Sequence, residues 1–338
     1  MPREKCRAEC RLPLRHPFRN FTTSSTLTAM APFTKADYIW KDGALVRWDD
    51  ATTHVTAHCL HYGTGVFEGM RCYNTPSGPA IFRLDAHMLR LAHSARFYEL
   101  EIPYTFQQLC AASLEVVRAN RFENAYLRPL AFFDSQTFAV WPKDVPVSVT
   151  IIAIPGLQYI QGGPEHGVRV TVSTVRRIEM STLPPSVKAC GHYTNSVRAV
   201  QEAIRRGYDE AVLLNHKGEV AEGSGANLFM VRNGTLITND LDASILPGIT
   251  RDSVLTIARD AGVPVEIRPM TVMDLEVAEE VFFCGTAVEI TPIKEVDGRV
   301  IGDGKPGPIT RNLQGIFQDA VHGKLPQYRS WLSPIGAD

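Results

Sequence analysis

Lys188 sits in the run Leu183-Pro-Pro-Ser-Val-Lys-Ala-Cys-Gly-His-Tyr193, where two prolines stiffen the approach and small residues surround the amine. A lysine held in a partly desolvated setting has a depressed pKa and can attack an aldehyde to form a Schiff base. Most single lysines are solvated charges, so this reading depends on company. Glu222 supplies it, in Gly218-Glu-Val-Ala-Glu-Gly-Ser-Gly-Ala-Asn-Leu-Phe229. The glycines there leave room for a flat ring beside the backbone, and a carboxylate against a pyridine nitrogen keeps it protonated, so that the ring can take up carbanion charge. Two anion cups complete the set. In Leu246-Pro-Gly-Ile-Thr-Arg-Asp-Ser-Val254, glycine and a cap-competent Thr250 open an amphipathic helix whose free N–H groups face a phosphate. Cys284-Gly-Thr-Ala-Val288 offers successive backbone N–H groups and the Thr286 hydroxyl. Arg90, on a helix after Asp85, adds a charged clamp. Singly these are a surface charge, a strand-end glutamate, a helix start and a strand end; jointly they are what pyridoxal 5'-phosphate requires.

Other chemistries fail on their own terms. Gly223-Ser224-Gly225 begins like a dinucleotide fingerprint, but Leu228 replaces the third glycine and a strand follows. Glu222 stands where a serine-hydrolase elbow needs its leading glycine. His54, His58 and His61 have a spacing that could ligate a metal, yet no carboxylate or supporting pattern accompanies them, so no metal is expected.

The elements that must position these residues are mixed α and β. Strands at 38–41 and 44–47 flank a tight turn at Asp42-Gly43. Asp85 is expected to cap a helix with Met88, Leu91, Ala92, Ala95 and Tyr98 inward, and Thr105 with Gln108 forms a capping box for the next helix through Val117. Strands follow at 125–133 and 147–154, making 30–155 a small α/β domain. The breaker-rich 156–166 reads as an interdomain linker. Residues 167–338 form a larger, strand-rich domain with strands at 168–175, 210–214, 226–231, 235–238, 280–283 and 289–296. Its helices, near 196–206, 250–261 and 308–321, pack outside.

With 338 residues the chain can bury two cores, and 35 Lys plus Arg against 36 Asp plus Glu give no electrostatic case for nucleic acid or an anionic membrane. Small molecules are the expected partners. Seven scattered cysteines without a C-x-x-C pair argue against a disulfide framework, hence for a reducing compartment. No apolar run approaches the ~20 residues needed to span a bilayer. The first 29 residues stand apart: Arg3, Arg7, Arg11, Arg15 and Arg19 recur with Lys5 against only Glu4 and Glu9, and a Thr/Ser run follows. Two readings stand. One is an organellar presequence, although Pro2, Pro13 and Pro17 spoil an amphipathic helix; the other is a start placed upstream of a true one at Met30. Localisation is expected to be cytoplasmic, or an organelle matrix if the leader is a presequence.

The stretches His61-Tyr-Gly-Thr-Gly-Val-Phe-Glu-Gly-Met-Arg-Cys-Tyr73, His87-Met-Leu-Arg90, Ala125-Tyr-Leu-Arg-Pro-Leu130, Lys188 to Tyr193, Glu222 to Phe229, Leu246 to Arg251 and Gly285-Thr-Ala287 resemble the class IV (fold-type IV) aminotransferases. Within that family they are most similar to the branched-chain amino acid aminotransferases of amino-acid biosynthesis, over about Tyr38 to Phe317. The resemblance implies a homodimer that moves an amino group reversibly from leucine, isoleucine or valine to 2-oxoglutarate. It implies Lys188 as the cofactor lysine and proton shuttle, Glu222 on the pyridine nitrogen and Tyr193 on the ring hydroxyl, with Arg90, Ile249, Thr250 and Thr286 on the phosphate. Tyr126 and the N–H groups of Thr286 and Ala287 would take the α-carboxylate and Arg128 the distal carboxylate of glutamate. Phe67, with Tyr62 from the partner subunit, would wall an apolar pocket. Ala226 replaces a common glutamate, His192 a common asparagine, and the segment from Pro155 to Gln158 lacks an expected tryptophan; these departures bear on side-chain preference. The alternatives are a D-amino acid or (R)-amine transaminase or an aminodeoxychorismate lyase of the same fold, and, further off, a ligand-binding relative without chemistry.

Overall fold

The computed structural model describes residues 34–134, 137–156 and 163–336; the Arg-rich leader and 157–162 of the linker lie outside these described residues. The chain opens with β1 (Tyr38–Lys41) and β2 (Ala44–Arg47). Asp42 and Gly43 between them both have positive φ, 48° and 97°, which matches the twist of a two-residue hairpin. Then come α1 (His58–Tyr62), β3 (Gly65–Phe67), β4 (Met70–Thr75) and β5 (Gly78–Phe82). Sequence periodicity does not reveal these three strands, because much of their length is buried on both faces and apolar residues do not alternate with polar ones. Helices α2 (Leu84–Phe97) and α3 (Phe106–Ala119) follow, then β6 (Ala125–Phe133) and β7 (Val147–Ile154), where the sequence places them. The expected capping box of Thr105 and Gln108 is present. Asp85 does not cap α2: Arg83, at φ 53°, holds that position without a side-chain bond, and Asp85 lies in the first turn. Of the expected apolar face, Met88, Leu91 and Ala95 are buried, whereas Ala92 is exposed.

The second half comprises α4 (Gly163–His166), β8 (Val168–Val172), α5 (Tyr193–Arg205), β9 (Glu210–Leu214), β10 (Val220–Gly223), β11 (Asn227–Arg232) and β12 (Thr235–Thr238). After these come α6 (Ile249–Asp260), β13 (Val265–Ile267), α7 (Val272–Glu276), β14 (Glu280–Gly285), β15 (Glu289–Val296), β16 (Arg299–Val300), α8 (Pro308–Val321) and β17 (Leu332–Pro334). The strand expected over 168–175 ends at Val172, because the Glu202 carboxylate on α5 takes the Thr174 N–H (3.0 Å) that would continue the ladder.

Two sheets result, the α+β layering of fold-type IV. The first has eight strands in the order β17-β5-β4-β6-β7-β1-β2, with β3 also on β6; the second has nine, β10-β9-β8-β15-β14-β11-β12-β13, with β16 on β15. Helices α2 and α3 close one face of the first sheet over a core that includes Met88, Leu91, Val116, Leu127 and Ile151. On the second sheet, α6 and α8 pack their apolar stripes around Phe229 and Phe282, whose rings stack 5.1 Å apart. The C-terminal β17 pairs with β5, returning the chain to the first sheet. No helix among the described residues is long and apolar enough to cross a membrane.

Candidate active site

On the first sheet the site starts from an interruption. β6 pairs with β4 up to Leu127 and with β3 from Leu130, so Pro129, which has no N–H to give, falls in the gap between them. Glu68 and Gly69 bridge that gap, and the Glu68 N–H donates to the Pro129 carbonyl (2.9 Å). A Cβ at position 69 would collide with the Tyr126 hydroxyl, so any larger residue would displace that side chain. Glu68 is thereby aimed at α2, whose inward face carries His87, Arg90 and Ser94 at helical spacing. Its carboxylate accepts from Arg90 Nε (2.7 Å) and Nη2 (2.8 Å) and lies 2.6 Å from His87 Nδ1. Burial alone would raise the Glu68 carboxyl, but Arg90 and then His87 overcome it and hold it well below the usual carboxylate range. Burial pushes His87 down despite Glu68, so the imidazole is neutral and its Nδ1–H donates. The remaining Arg90 nitrogen, Nη1, donates to the Pro247 carbonyl beside the start of α6 (2.9 Å).

Lys188 lies on a strip that runs antiparallel to β3. Phe67 N–H donates to Lys188 O (3.1 Å), Val66 bridges Ala189, and Gly191 N–H donates to Gly63 O (3.1 Å). Ser94 Oγ accepts the Lys188 N–H (3.0 Å), so both neighbours fix the backbone. The side-chain amine donates to the Tyr193 hydroxyl (2.6 Å) and stands 4.9 Å from the centre of the Phe67 ring.

The second sheet contributes Glu222, buried at the end of β10. One of its oxygens accepts from Asn227 Nδ2 (3.0 Å) and the Leu246 N–H (3.1 Å). The other lies 2.8 Å from Arg177 Nε, close enough for an ion pair although that N–H is not aimed along it. Burial raises the Glu222 carboxyl, with Arg177 and the Leu246 N–H pulling the other way. Asn227 also donates to the Leu246 carbonyl (3.0 Å) and so ties Glu222 to the turn that starts α6. Gly248, not Thr250, is the helix N-cap; Thr250 lies within the first turn. The glycine answers crowding, since a Cβ at 248 would fall 1.9 Å from Asn227 Oδ1. Arg71 on β4 holds the 285–288 turn by donating to the carbonyls of Thr286 (2.8 Å) and Ala287 (2.9 Å).

The side chains that these contacts position meet on one cavity of about 220 Å³. Phe67, Arg90, Tyr126, Arg128, Arg177, Lys188, Tyr193, Glu222, Ile249, Thr250, Thr286 and Ala287 line it. Of the residues expected from sequence, only Tyr62 is absent: it is partly exposed on α1, its hydroxyl donating to the Phe138 carbonyl (2.8 Å). Arg128 stacks over Phe67 (4.7 Å) and donates to the Tyr126 hydroxyl (2.7 Å). His58, from the rejected metal triad, is taken by Thr64 Oγ1 (2.6 Å) and the Ala139 carbonyl (2.9 Å).

The residues fit pyridoxal phosphate on three counts. A Cβ at Gly225 would meet nothing within 4 Å, which leaves the room against the backbone that a flat ring needs. Glu222 is a buried carboxylate whose pKa burial still raises despite Arg177, and a protonated ring nitrogen would give it a second positive partner on the cavity side. Arg90 and the N-terminus of α6 converge where an anion would be held. Sequence reading misses Glu68, His87, Arg177, Asn227 and Arg71. Glu68 and His87 do stand inside recognised motifs, in the Phe67-Glu68-Gly69 and His87-x-x-Arg90 patterns. No local signal marks Arg177, which meets Glu222 only through the sheet.

The Amino-transferase class IV family matches residues 65–296. The chain is 44% identical to the branched-chain-amino-acid aminotransferase of Pseudomonas aeruginosa over 298 residues, 88% of this chain and 97% of that one. Among solved structures it superposes with a TM-score of 0.86 on the T.th. branched-chain amino acid aminotransferase complexed with N-(5'-phosphopyridoxyl)-L-glutamate. That protein is 42% identical, with 89% of this chain and 99% of the other covered. The branched-chain aminotransferase of Thermoproteus uzoniensis with norvaline gives a TM-score of 0.85 at 43% identity, over 89% of this chain and all of the other. With the cavity's residues and these similarities in agreement, the chain belongs to the class IV pyridoxal-phosphate-dependent aminotransferases, in the branch of the branched-chain amino acid enzymes.

Proposed function

We propose that this protein catalyses reversible amino transfer between leucine, isoleucine or valine and 2-oxoglutarate, using pyridoxal 5'-phosphate. The observation that carries the reading is the convergence of Lys188 and Glu222, from different sheets, on the one cavity that also holds Arg90 and the N-terminus of α6. When bound, the cofactor supplies an aldehyde for amino-group exchange and a ring that absorbs the charge left when the substrate α-carbon loses its proton. Lys188 would hold it covalently and, once released, take that proton on Nζ. The Tyr193 hydroxyl, 2.6 Å from Nζ, orients the amine and serves the ring hydroxyl. Glu222 keeps the ring nitrogen protonated, with Asn227, the Leu246 N–H and Arg177 fixing its orientation. Arg90, clamped by Glu68, would bind the phosphate together with Ile249, Thr250 and Thr286.

The two substrates differ in one respect: leucine ends in methyl groups and glutamate in a second carboxylate. Tyr126 and the Thr286 and Ala287 N–H groups would take the α-carboxylate of both, with Arg71 stiffening the turn. Phe67 offers apolar surface to the first, and Arg128, lying over that ring, a guanidinium to the second. Tyr62, outside the cavity of its own chain, is assigned to the site of a second copy in a homodimer. The site is expected to work in the cytoplasm or an organelle matrix. Incubating the purified protein with the cofactor and 2-oxoglutarate tests the reading, with L-leucine, L-isoleucine, L-valine, D-alanine and (R)-1-phenylethylamine as donors. Glutamate should form from the three branched-chain donors. Glutamate formation only from D-alanine or the amine would assign the protein to the other activities of this fold, and none from any donor would leave a binding protein.

A further inference from the structure

Beside the cavity, and outside its lining, two cysteines meet. Cys59 lies on α1, and Cys190 lies between Lys188 and Tyr193 on the strip held to β3. A Cβ at Gly65 would lie 2.9 Å from Cys59 Sγ and 3.2 Å from Cys190 Sγ, so both sulfurs crowd one point and a side chain at 65 would push them apart. The two thiols are close enough to shift each other's titration in opposite directions. Both are partly accessible, unlike the buried Cys72 and Cys284. We propose that Cys59 and Cys190 are a covalent modification site, a dithiol that peroxide oxidises to a disulfide, which by fixing the segment around Lys188 shuts amino transfer down reversibly.

The two sulfurs differ in a way that orders the chemistry. Contact with Cys59 lowers the Cys190 thiol from its ordinary value, against burial, with Arg128 and Lys188 adding positive potential. Cys59 is raised, by the same contact and by burial. The Cys190 thiolate is therefore the nucleophile. It attacks one peroxide oxygen, the O–O bond breaks, and the hydroxide released takes up a proton to leave as water, with Cys190 now a sulfenic acid. Cys59 sulfur then attacks the Cys190 sulfur; the S–S bond forms, and the sulfenic hydroxyl departs with the Cys59 proton as a second water. Two thiols have been oxidised and one peroxide reduced to two waters. A dithiol reductant reverses the step by exchange. The consequence for activity follows from position. Cys190 stands between the two residues whose side chains hold each other at 2.6 Å, and a disulfide imposes a Cβ–Cβ separation of about 3.8 Å at that point.

The test treats the reduced, cofactor-loaded enzyme with hydrogen peroxide and follows intact mass, non-reducing peptide maps and amino transfer from leucine. The expected result is the loss of two hydrogens, a peptide linking 59 to 190, and a fall in rate of at least roughly tenfold that dithiothreitol restores. Cys59→Ser and Cys190→Ser should each retain their rate through the same treatment. The Cys59→Ser variant, outside the Lys188 strip, keeps the test open should the other fold poorly. The map and mass read the covalent step whatever the substrate. The proposal is overturned by a map without the linked peptide, by the linked peptide at unchanged rate, or by equal inactivation of both variants.

Discussion

Replacing Glu68 with glutamine probes the support of the phosphate end of the site. Glu68 is fully buried and accepts both Nε and Nη2 of Arg90 while contacting His87 Nδ1. An amide keeps the shape but turns one acceptor into a donor, which then faces guanidinium or imidazole N–H groups. Arg90, 11% exposed, is left with its charge facing only neutral acceptors at hydrogen-bond distance, the remaining amide oxygen and the Pro247 carbonyl. Removing one partner of such a buried, hydrogen-bonded pair costs about 3–5 kcal/mol, mainly through the charge left behind. Set against a usual stability of about 5–15 kcal/mol, that loss is large but survivable. The cost should depend on pH. Arg90 and His87, prevailing over burial, place the folded Glu68 carboxyl below its unfolded value of about 4.3, so the unfolded chain binds protons first as pH falls. The wild-type contribution is therefore complete above that pH and erodes below it by up to about 1.4 kcal/mol per pH unit, whereas glutamine has no such proton to bind. Urea unfolding of cofactor-free wild type and variant, from pH 7 down to the lowest pH at which the wild type stays folded, measures the gap directly. A gap under about 1 kcal/mol at neutral pH, or one that widens in acid, would refute the reasoning.

Lys188→Ala should abolish turnover while leaving the thermal midpoint of the cofactor-free protein nearly unchanged; residual transamination would remove Lys188 from the mechanism. Arg128→Met should raise KM for 2-oxoglutarate roughly tenfold to a hundredfold, from a charged hydrogen bond worth about 1.5–3 kcal/mol, with KM for leucine rising far less. Tyr126→Phe should weaken both substrates in the same steady-state assay, and 2-oxoglutarate the more, because its hydroxyl also accepts from Arg128. Gly248→Ala places a Cβ against Asn227 Oδ1 and should displace that side chain from Glu222 and Leu246, lowering cofactor affinity by roughly tenfold or more in an absorbance titration. Unchanged affinity would show that Asn227 does not organise the site.

What the sequence discloses follows from how local each signal is. Strands β6, β7, β9 and β15 are legible because they combine β-branched or aromatic residues with clear turn punctuation at both ends. Strands β3 to β5 are not, because burial on both faces erases the alternation and Glu68-Gly69 interrupts the run. The helix N-caps illustrate the same limit. Arg83 and Gly248 cap without a side-chain bond, so nothing in their side chains announces them, and the better formers Asp85 and Thr250 draw the eye two residues too far. At the site, residues that touch the cavity through a recognisable motif are found. Asn227 and Arg71 stand inside recognised motifs, but their work is to hold Glu222 and the 285–288 turn rather than to meet a ligand, and Arg177 reaches Glu222 from 45 residues away, where no spacing rule connects them.

The charges of the cavity bear on how one site can serve an apolar and an acidic substrate. Among the described residues, Arg90, Arg128, Arg177 and Lys188 line it against Glu222 as the lining carboxylate. Such an excess of positive charge in a partly closed space favours anions, namely a phosphate and the carboxylates of amino and oxo acids. Each cation nevertheless has an internal partner: Arg90 has Glu68, Arg177 has Glu222, and Lys188 has Tyr193. Arg128 is the exception in kind, since its partners are the neutral Tyr126 hydroxyl and the faces of the Phe67 and Tyr126 rings. A guanidinium held this way is satisfied well enough to tolerate a leucine side chain beside it, yet keeps unspent charge for the second carboxylate of glutamate. Supplying Arg128 with a carboxylate of its own, as Glu68 does for Arg90, would remove that reserve and with it the acidic half of the exchange.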